Sequence, residues 1–485
     1  MTTTHRTAAL ALVAAALLCG CTSRDFFGYR DDAPLHAIDR PGDFPTTTFG
    51  AAIAATYYRG PDGTADLAAI SGGEATPTAF YRLSSNGDLV DVEDPWDDYL
   101  MGDLQAAKDA GSGAALAGLP TWAARTGGAV TLLTGCAAIG EPKIDNVHVR
   151  CPVGGEDIDL PGSATGEADA AGFGGLLAAI PPSAGAADWL LAVGAERFVT
   201  VFSAASAADR SAPMYPSFDG VRERFVAAIA AGSLSDGRLF VAAAGADAVA
   251  GAPSRVHVFL QAAAHAEALA EVACVDRATD PAFGGAMAAG DLDLDGSDEL
   301  IVSSGPADAR VDAVYVYDVA ALAAAAPTCH GDAPAPAATA KPGDGPLDIG
   351  CGAGGSCDFG AALAVGDVAT NDTGQELLVG APGASVDGKR AAGAVYVFRG
   401  AELMAAGTAA VAGRIADSAP EKGQRFGAAV AAVPMAGRME LFAGAAGKGK
   451  AFIAYCTGVG TDIEQGADVT RNAAGKVVST RCRPR

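Results

Sequence analysis

Residues 280–319 read DPAFGGAMAAGDLDLDGSDELIVSSGPADARVDAVYVYDV, and residues 357–398 read CDFGAALAVGDVATNDTGQELLVGAPGASVDGKRAAGAVYVF. Both segments contain Phe-Gly, a short apolar run, Gly-Asp, an acidic turn, Glu-Leu, a second apolar run and a final Val-Tyr-Val, in that order. Short apolar runs bounded by turn residues are typical of strands. The shared order therefore indicates a repeated supersecondary unit.

Five weaker copies of the pattern lie elsewhere in the chain. The positions of Phe-Gly or its equivalent are 49, 112, 173, 225, 283, 359 and 426, with Ser112 replacing Phe and Val226 replacing Gly. Such intervals fit four short antiparallel strands plus loops, which is one propeller blade. We predict an all-β fold, a seven-bladed β-propeller of four-stranded antiparallel blades. The predicted units lie near 46–105, 106–160, 165–212, 218–275, 280–329, 355–415 and 420–485, with an exposed insert loop at 330–350.

The two best copies resemble FG-GAP repeats, the unit of the integrin α-chain propeller that is also common in bacterial surface proteins. The sequence FGAAL…LLVGAPG at 359–383 contains both halves of the motif. The resemblance implies an extracytoplasmic binding or adhesion scaffold. Each Phe is expected to pack between neighbouring blades, and the Ala- and Gly-rich runs suit an inner strand near a crowded axis.

The turn GDLDLDGSDELI at 290–301 resembles the calcium hairpin of that family, whose ligands lie at positions 1, 3, 5, 7 and 9. Closely spaced carboxylates repel unless a cation lies between them, and calcium prefers such oxygen ligands. Asp298 is expected to point to solvent, and a solvated acidic turn without metal is the alternative. The predicted structural calcium ligands are Asp291, Asp293, Asp295, the carbonyl of Ser297, and Glu299.

The corresponding turn at 366–377 has kept fewer acids. It retains Asp367, Asn371 and Glu376, but Ala369 replaces one ligand and the spacing is one residue longer. A weaker calcium site and a metal-free turn both remain open for this unit. The other five turns have lost the acidic pattern and are expected to stand without metal.

The N-terminus is interpreted as a targeting segment. The apolar run from Ala8 to Leu18 has 11 residues, which at ~1.5 Å each is too short to cross a hydrocarbon core of ~30 Å. Leu18-Cys19-Gly20-Cys21 resembles a bacterial lipobox and implies cleavage before Cys21 and lipidation of its thiol. The alternative is ordinary secretion with a free Cys21. The predicted organisation is a signal peptide at 1–20, a lipidated tether at 21–45 and the propeller at 46–485.

Without Cys19 and Cys21, an even number of cysteines remains, which in an exported chain predicts disulfides. Sequential pairing would connect outer strands and help to close the ring, although the sequence alone allows 105 pairings. There is no C-x-x-C motif, which argues against structural zinc of the usual ribbon type. The candidates are Cys136 with Cys151, Cys274 with Cys329, Cys351 with Cys357, and Cys456 with Cys482.

Charge and motifs restrict the function. The chain of 485 residues has a formal net charge of −24, which argues against nucleic acid as a partner. It contains no G-x-S-x-G, P-loop or H-E-x-x-H motif. We therefore predict a non-enzymatic scaffold anchored to the envelope through Cys21, most simply at the outer membrane or cell surface.

The expected ligand is a protein or a glycan. The acidic loop NGDLVDVEDPWDDYLMGD at 86–103 is a candidate partner surface, and a solvated loop is its alternative. A propeller enzyme acting on a glycan or ester and a purely structural envelope component are the alternative functions.

Overall fold

The structure is a computed structural model of the chain. It describes residues 35–39, 49–60, 63–71, 78–83, 113, 115–126, 129–151, 156–165, 167, 170–182, 189–203, 211–218, 221–222, 225–246, 255–263, 268–277, 283–304, 313–329, 334–341, 357–368, 374–409, 411–435, 438–454, 467–471 and 477–482. Within these ranges no helix is both long and apolar enough to cross a membrane.

The first strand, β1 (Leu35–Asp39), is followed by three antiparallel sheets that form in chain order. Sheet 1 contains β2 (Ala52–Gly60), β3 (Gly63–Ser71) and β4 (Thr78–Leu83). Sheet 2 contains β5 (Leu116–Thr126), β6 (Ala129–Glu141), β7 (Asn146–Cys151) and β8 (Glu156–Pro161). Sheet 3 contains β9 (Leu176–Ile180), β10 (Leu190–Gly194) and β11 (Val199–Phe202), and a separate hairpin of β12 (Ser217–Phe218) and β13 (Val221–Arg222) follows it.

Three further sheets follow the same antiparallel plan. Sheet 4 contains β14 (Phe225–Ser233), β15 (Leu239–Ala246), β16 (Arg255–Gln261) and β17 (Leu269–Asp276). Sheet 5 contains β18 (Met287–Gly290), β19 (Glu299–Ser303), β20 (Val314–Tyr317) and β21 (Ala338–Ala340). Sheet 6 contains β22 (Ala362–Gly366), β23 (Glu376–Ala381), β24 (Ala394–Arg399) and β26 (Gly413–Ile415), while β25 (Thr408–Ala409) pairs in parallel with β21 of sheet 5.

The remaining sheet combines both ends of the described chain, and we name it the closing sheet. It contains β27 (Phe426–Met435), β28 (Arg438–Ala445) and β29 (Lys450–Ala454), with β1 as its outermost strand. Two short helices, α1 (Val319–Ala325) and α2 (Gly400–Ala406), follow the third strands of sheets 5 and 6. The last hairpin, β30 (Ala467–Arg471) and β31 (Val477–Cys482), is a sheet of its own.

The sheets are arranged in a ring. The first strand of each sheet contacts the first strand of the next, from β2 through β5, β9, β14, β18 and β22 to β27, and β27 contacts β2 again. Antiparallel sheets that repeat radially around a centre define a β-propeller. The predicted all-β propeller with four-stranded antiparallel blades is therefore confirmed at the level of the fold.

The prediction of seven self-contained four-stranded units in 46–485 is wrong. Six sheets are built without the N-terminal strand, and the remaining one needs β1, from a segment that we predicted to be tether. The predicted C-terminal part of the last unit forms the separate β30–β31 hairpin instead. Pairing β1 with β29 brings the two ends of the described chain into one sheet and covers the edge of β29.

The number of strands in a sheet also differs from four in parts of the ring. Sheets 2 and 4, which have the weakest sequence motifs, are four-stranded, whereas sheets 1 and 3 have three described strands and sheet 5 has five. Beyond β11 of sheet 3, the described residues form one isolated bridge, between Val199 and Met214. Pro213 and Pro216 lie on either side of Met214 and supply no backbone N–H, which limits the ladder there, although Ser211 N also donates to Val201 O over 2.8 Å.

The predicted exposed insert at 330–350 contains a strand. β21 pairs with β20, and Ala338 and Ala340 are 1% and 0% exposed. The sequence prediction was wrong here because the Pro-, Ala- and Gly-rich composition conceals a three-residue edge strand. Small side chains suit this position, since β21 is covered on its other side by β25.

Aromatic side chains pack between neighbouring sheets as predicted. Phe173 contacts the core shared by sheets 2 and 3, Phe283 that of sheets 4 and 5, Phe359 that of sheets 5 and 6, and Phe426 that of sheet 6 and the closing sheet. All four rings are fully buried. The side chains of strand β20 alternate, because its valines pack toward sheet 6 and its tyrosines toward sheet 4. Burial of such rings is a large apolar contribution to each interface.

The glycine of each Phe-Gly pair has a backbone conformation that other residues rarely adopt. Gly50, Gly174, Gly284, Gly360 and Gly427 all have φ between 84° and 89°. A side chain there would be strained. The motif therefore encodes a turn that places Phe in the interface and starts the inner strand.

Two predicted disulfides are present. Cys136–Cys151 joins β6 and β7 within sheet 2, and Cys274–Cys329 joins β17 of sheet 4 to the segment after α1 of sheet 5. Cys357 is disulfide-bonded, and its predicted partner Cys351 lies outside the described residues, as do Cys456 and the side chain of Cys482. The second bond is a cross-link between adjacent sheets, as expected for cysteines that help to close the ring.

Candidate functional site

The acidic loop between β18 and β19 connects the two inner strands of sheet 5. Gly290 and Glu299 are paired at its base. One carboxylate oxygen each of Asp291, Asp293 and Asp295 lies within 4.8 Å of the others. Three converging oxygens from alternate residues are the beginning of a coordination shell for a hard cation.

Two unusual backbone conformations produce this convergence. Leu294 has φ of 62° and Gly296 has φ of 88°. Gly296 permits the sharp reversal of the loop, whereas the left-handed conformation of Leu294 was not predicted. Leu294 is also 51% exposed, which is unusual for a large apolar residue. A leucine held in this conformation at a loop tip is strained, and that strain is compatible with a binding loop.

Backbone N–H groups of the loop donate to its aspartates. Asp295 N donates to Asp293 Oδ1 over 3.2 Å, Gly296 N donates to Asp291 Oδ2 over 3.1 Å, and Ser297 N donates to Asp295 Oδ1 over 2.7 Å. These bonds orient the carboxylates toward one another. They do not remove the mutual repulsion of three negative charges, which a bound cation would neutralise.

One oxygen of the Asp291 side chain lacks a hydrogen-bond partner among the described residues. This atom, Oδ1, is buried. Burial raises the pKa of Asp291, and the charges of Asp295 and Asp293 raise it further, although the N–H of Gly296 opposes them. A buried carboxylate oxygen without a partner is costly, and a metal ion is one group that can satisfy it.

Glu299, the predicted closing ligand, is 3% exposed. Its Oε2 accepts a 2.8 Å hydrogen bond from Leu292 N, and it is not one of the three carboxylates that converge within 4.8 Å. Burial raises its pKa to about 8, and the charges of Asp293, Asp291 and Asp295 add to the shift. Its observed role is to hold the loop to the strand, and ligation of calcium remains a prediction.

Glu376 occupies the equivalent position in sheet 6. It is fully buried, and its Oε2 accepts a 2.9 Å bond from Val368 N. Asp367 is exposed, and Asn371 lies outside the described residues, so the weaker calcium site stays a prediction. The recurrent Glu-Leu of the repeat thus has a structural role that does not depend on the aspartates. The sequence does contain a signal for this structural role, because the glutamate is kept at position 376 although the turn before it has lost other acids.

Asp298 does not point to solvent, contrary to the prediction. Its Oδ2 accepts from Ser233 N over 2.7 Å, and Asp298 N donates to Ser233 O over 2.8 Å. Burial raises its pKa, and the bond from Ser233 partly offsets this. Ser233 ends β14 of sheet 4, so the acidic loop is tied to the neighbouring sheet.

A second contact reinforces this connection. Ser235 N donates to Ser297 Oγ over 3.2 Å, and Ser297 Oγ donates to Ser235 Oγ over 3.0 Å. Both bonds use the hydroxyl of Ser297, and neither involves its backbone carbonyl, which is the predicted calcium ligand. A cation in the loop would therefore rigidify the junction of sheets 4 and 5 as well as one hairpin.

Other predicted functional residues lie outside the described ranges. These are the lipidation site Cys21 and the acidic loop 86–103 with Trp96 and Tyr99.

No family model and no curated protein matches the chain. Among solved structures, the chain is similar to one described as the crystal structure of BBS1N in complex with ARL6DN, soaked with lead, at 11% identity and a TM-score of 0.45, over 86% of this chain and 96% of the other. It is similar also to a chain of the Mitotic Checkpoint Complex, at 10% identity and a TM-score of 0.44, over 90% of this chain and 94% of the other. The assignment of the propeller fold rests on the sheets described above.

Proposed function

We propose that the protein is a non-enzymatic binding scaffold, an FG-GAP-type propeller that is lipid-anchored through Cys21 and stabilised by calcium in the loop 291–299. The observation that carries the calcium proposal is the convergence of Asp291, Asp293 and Asp295 around a buried Asp291 oxygen without a hydrogen-bond partner. The loop binds two residues of the neighbouring sheet. The ion is therefore proposed to be structural.

The binding role is supported by the architecture. A propeller presents many loops around a rigid ring, an arrangement suited to capture of a protein or glycan. The buried ionisable groups Glu299, Glu376 and His257 are engaged in hydrogen bonds that hold the framework together. The anchor and the envelope location rest on the sequence around Cys21.

Exchange of Asp293 for Ala tests the calcium site. We expect calcium to raise the melting temperature of the wild type and to leave Asp293→Ala unchanged. For a Kd of ~10⁻⁴ M and ~10 mM calcium, the gain in free energy of unfolding is about 2.7 kcal/mol. Differential scanning fluorimetry with calcium, magnesium or chelator measures it. Asp159→Ala, a change of an exposed carboxylate in sheet 2, is the control and keeps the response.

Stability of the calcium-free protein depends on pH through Glu299. Its pKa of about 8 means that the folded state retains a proton that the unfolded chain releases near 4.5. This stabilisation is complete below that lower pKa and is lost as the pH rises toward the folded value. We expect the free energy of unfolding to fall by up to about 1.4 kcal/mol per pH unit in this window. Urea titrations in chelator measure the slope, and Glu299→Gln should flatten it. An equal slope in both proteins would count against the assignment.

A partner-capture experiment separates the candidate functions. Purified protein is cross-linked to native envelope in calcium or in chelator, with Asp293→Ala alongside, and bound proteins and glycans are identified by mass spectrometry. A specific partner recovered only with calcium supports the binding scaffold. Hydrolysed or eliminated glycan or ester in the same mixture supports the enzyme, and neither result supports a structural component.

A further inference from the structure

We propose that His257, Cys274 and Cys329 form a binding site for a thiolate-preferring divalent cation such as Zn²⁺ once the Cys274–Cys329 disulfide is reduced. The site lies at the outermost strand of sheet 4, β17, where the segment after α1 of sheet 5 contacts it. It is away from the aspartate loop in sequence and in ligand chemistry. It does not depend on the proposed calcium site.

The three side chains converge from two sheets. His257 on β16 and Cys274 on β17 are directly opposite each other in the antiparallel ladder and therefore share one face of sheet 4. Cys329 comes from the segment after α1, and a 2.8 Å bond from Cys274 N to Pro327 O holds that segment against β17. One imidazole nitrogen and the two sulfur atoms all lie within 4.8 Å of one another.

A β-bulge adds a fourth group. The register between β16 and β17 shifts between Val258 and Phe259, so Glu271 pairs with Phe259 and shares the face of His257. Glu271 Oε1 lies 2.9 Å from His257 Nδ1. A carboxylate on one imidazole nitrogen orients the ring and increases the basicity of the other, as in carboxylate–histidine–zinc arrangements. With Nδ1 held by Glu271, the metal would take Nε2.

The donor set selects the class of cation. Two thiolates and an imidazole favour zinc over calcium or magnesium, which prefer oxygen. Tetrahedral zinc at its usual bond lengths separates its ligand atoms by roughly 3.3–3.8 Å. The observed mutual separations within 4.8 Å are close enough to reach that geometry by side-chain rotation. His257, Cys274 and Cys329 are 0%, 4% and 9% exposed, so water competes weakly for the ion.

The redox step balances with a dithiol donor. The disulfide accepts two electrons and two protons from the dithiol, which becomes a disulfide, and yields the thiols of Cys274 and Cys329. Binding of Zn²⁺ then releases the two thiol protons and forms two S–Zn bonds. The link between sheets 4 and 5 thus persists in both states, through sulfur–sulfur in one and through the metal in the other.

Cobalt binding to the reduced protein tests the proposal. The full chain is reduced with a phosphine, which becomes its oxide, and is titrated anaerobically with Co²⁺. We expect thiolate-to-cobalt charge-transfer and tetrahedral ligand-field absorption that Zn²⁺ displaces. Zinc should also raise the melting temperature of the reduced protein. The oxidised protein should show neither response.

Matched double variants locate the ion. Cys274→Ser with Cys329→Ser should lose one bound cobalt relative to the wild type. Cys136→Ser with Cys151→Ser removes the other described disulfide, which lies in no such cluster among the described residues, and should keep that cobalt. Circular dichroism verifies that both variants are folded.

A milder variant tests the orienting carboxylate. Glu271→Gln should weaken binding by about tenfold or more without changing the two sulfur ligands. Equal cobalt stoichiometry in the two double variants, or unchanged affinity in Glu271→Gln, would overturn the proposed site.

Discussion

Replacing Gly380 with Ala is expected to destabilise the propeller by roughly 2–4 kcal/mol, because the new methyl group has no space. Gly380 lies on β23, and a Cβ there would overlap the carbonyl oxygen of Gly427, the glycine that follows Phe426. It would also lie 3.3 Å from the Cβ of Ala362 on β22. The obstructing group is backbone of the closing sheet and cannot rotate away, so the two sheets must separate.

Gly374→Ala provides the matched control. A Cβ at this position would have ordinary contacts, at 3.7 Å from Ala401 Cβ and 3.8 Å from Ala401 N, and its φ is not positive. We expect a change within about 0.5 kcal/mol. Urea denaturation followed by circular dichroism gives both values. Similar midpoints for the two variants would contradict the close-packed interface.

The same contact recurs around the ring and explains the repeat motif. A Cβ at Gly140 would overlap the carbonyl of Gly174, and one at Gly444 would overlap that of Gly50. The glycine of the second strand in one sheet therefore lies against the Phe-Gly turn of the next. This is the physical reason that both halves of the motif occur together, and why the sequence could predict the fold.

The sequence could not predict features that depend on contacts between units. Asp298 looked like a solvated residue because its partner, Ser233, is 65 positions away. β1 was not recognisable because its pairing with β29 depends on closure of the ring. The helix α1 had a local sequence signal, because Asp318 is its N-cap and accepts a 3.0 Å bond from Ala321 N. Its seven residues could not be told apart from the alanine-rich sequence around them.

The candidate calcium loop was predicted in more detail than its surroundings. The three aspartates converge as their alternate spacing indicates. The repeated glutamate was interpreted as a ligand, whereas Glu299 and Glu376 both accept a backbone N–H of their loops. Spacing alone cannot separate a ligand from a structural acceptor, because both roles require a carboxylate at the end of the turn.

Removal of β1 is expected to weaken the closure of the ring, which would then rest on the contact of β27 with β2. All five residues of β1 pair with β29, from Leu35 opposite Ala454 to Asp39 opposite Lys450, and Leu35 and Ala37 pack against the core of the closing sheet. At about 1 kcal/mol per hydrogen bond plus the apolar burial, the loss is roughly 4 kcal/mol. A chain beginning at residue 41 should therefore melt well below one beginning at residue 22. Hydrogen exchange should increase most in residues 426–454.

Rescue by a peptide distinguishes loss of the closing strand from general damage. Without β1, the edge of β29 is open and can accept a strand supplied in trans. A synthetic peptide of residues 33–41 should restore protection to 438–454 and raise the melting temperature of the shortened chain. A peptide of the same composition in scrambled order should not, since register places Leu35 and Ala37 on the core face. If both peptides act alike, or if the shortened chain melts with the longer one, β1 does not close the ring. If only the native order restores stability, the β1–β29 ladder joins the two ends of the chain in addition to the contact of β27 with β2, and the N-terminal segment is part of the propeller and more than its tether.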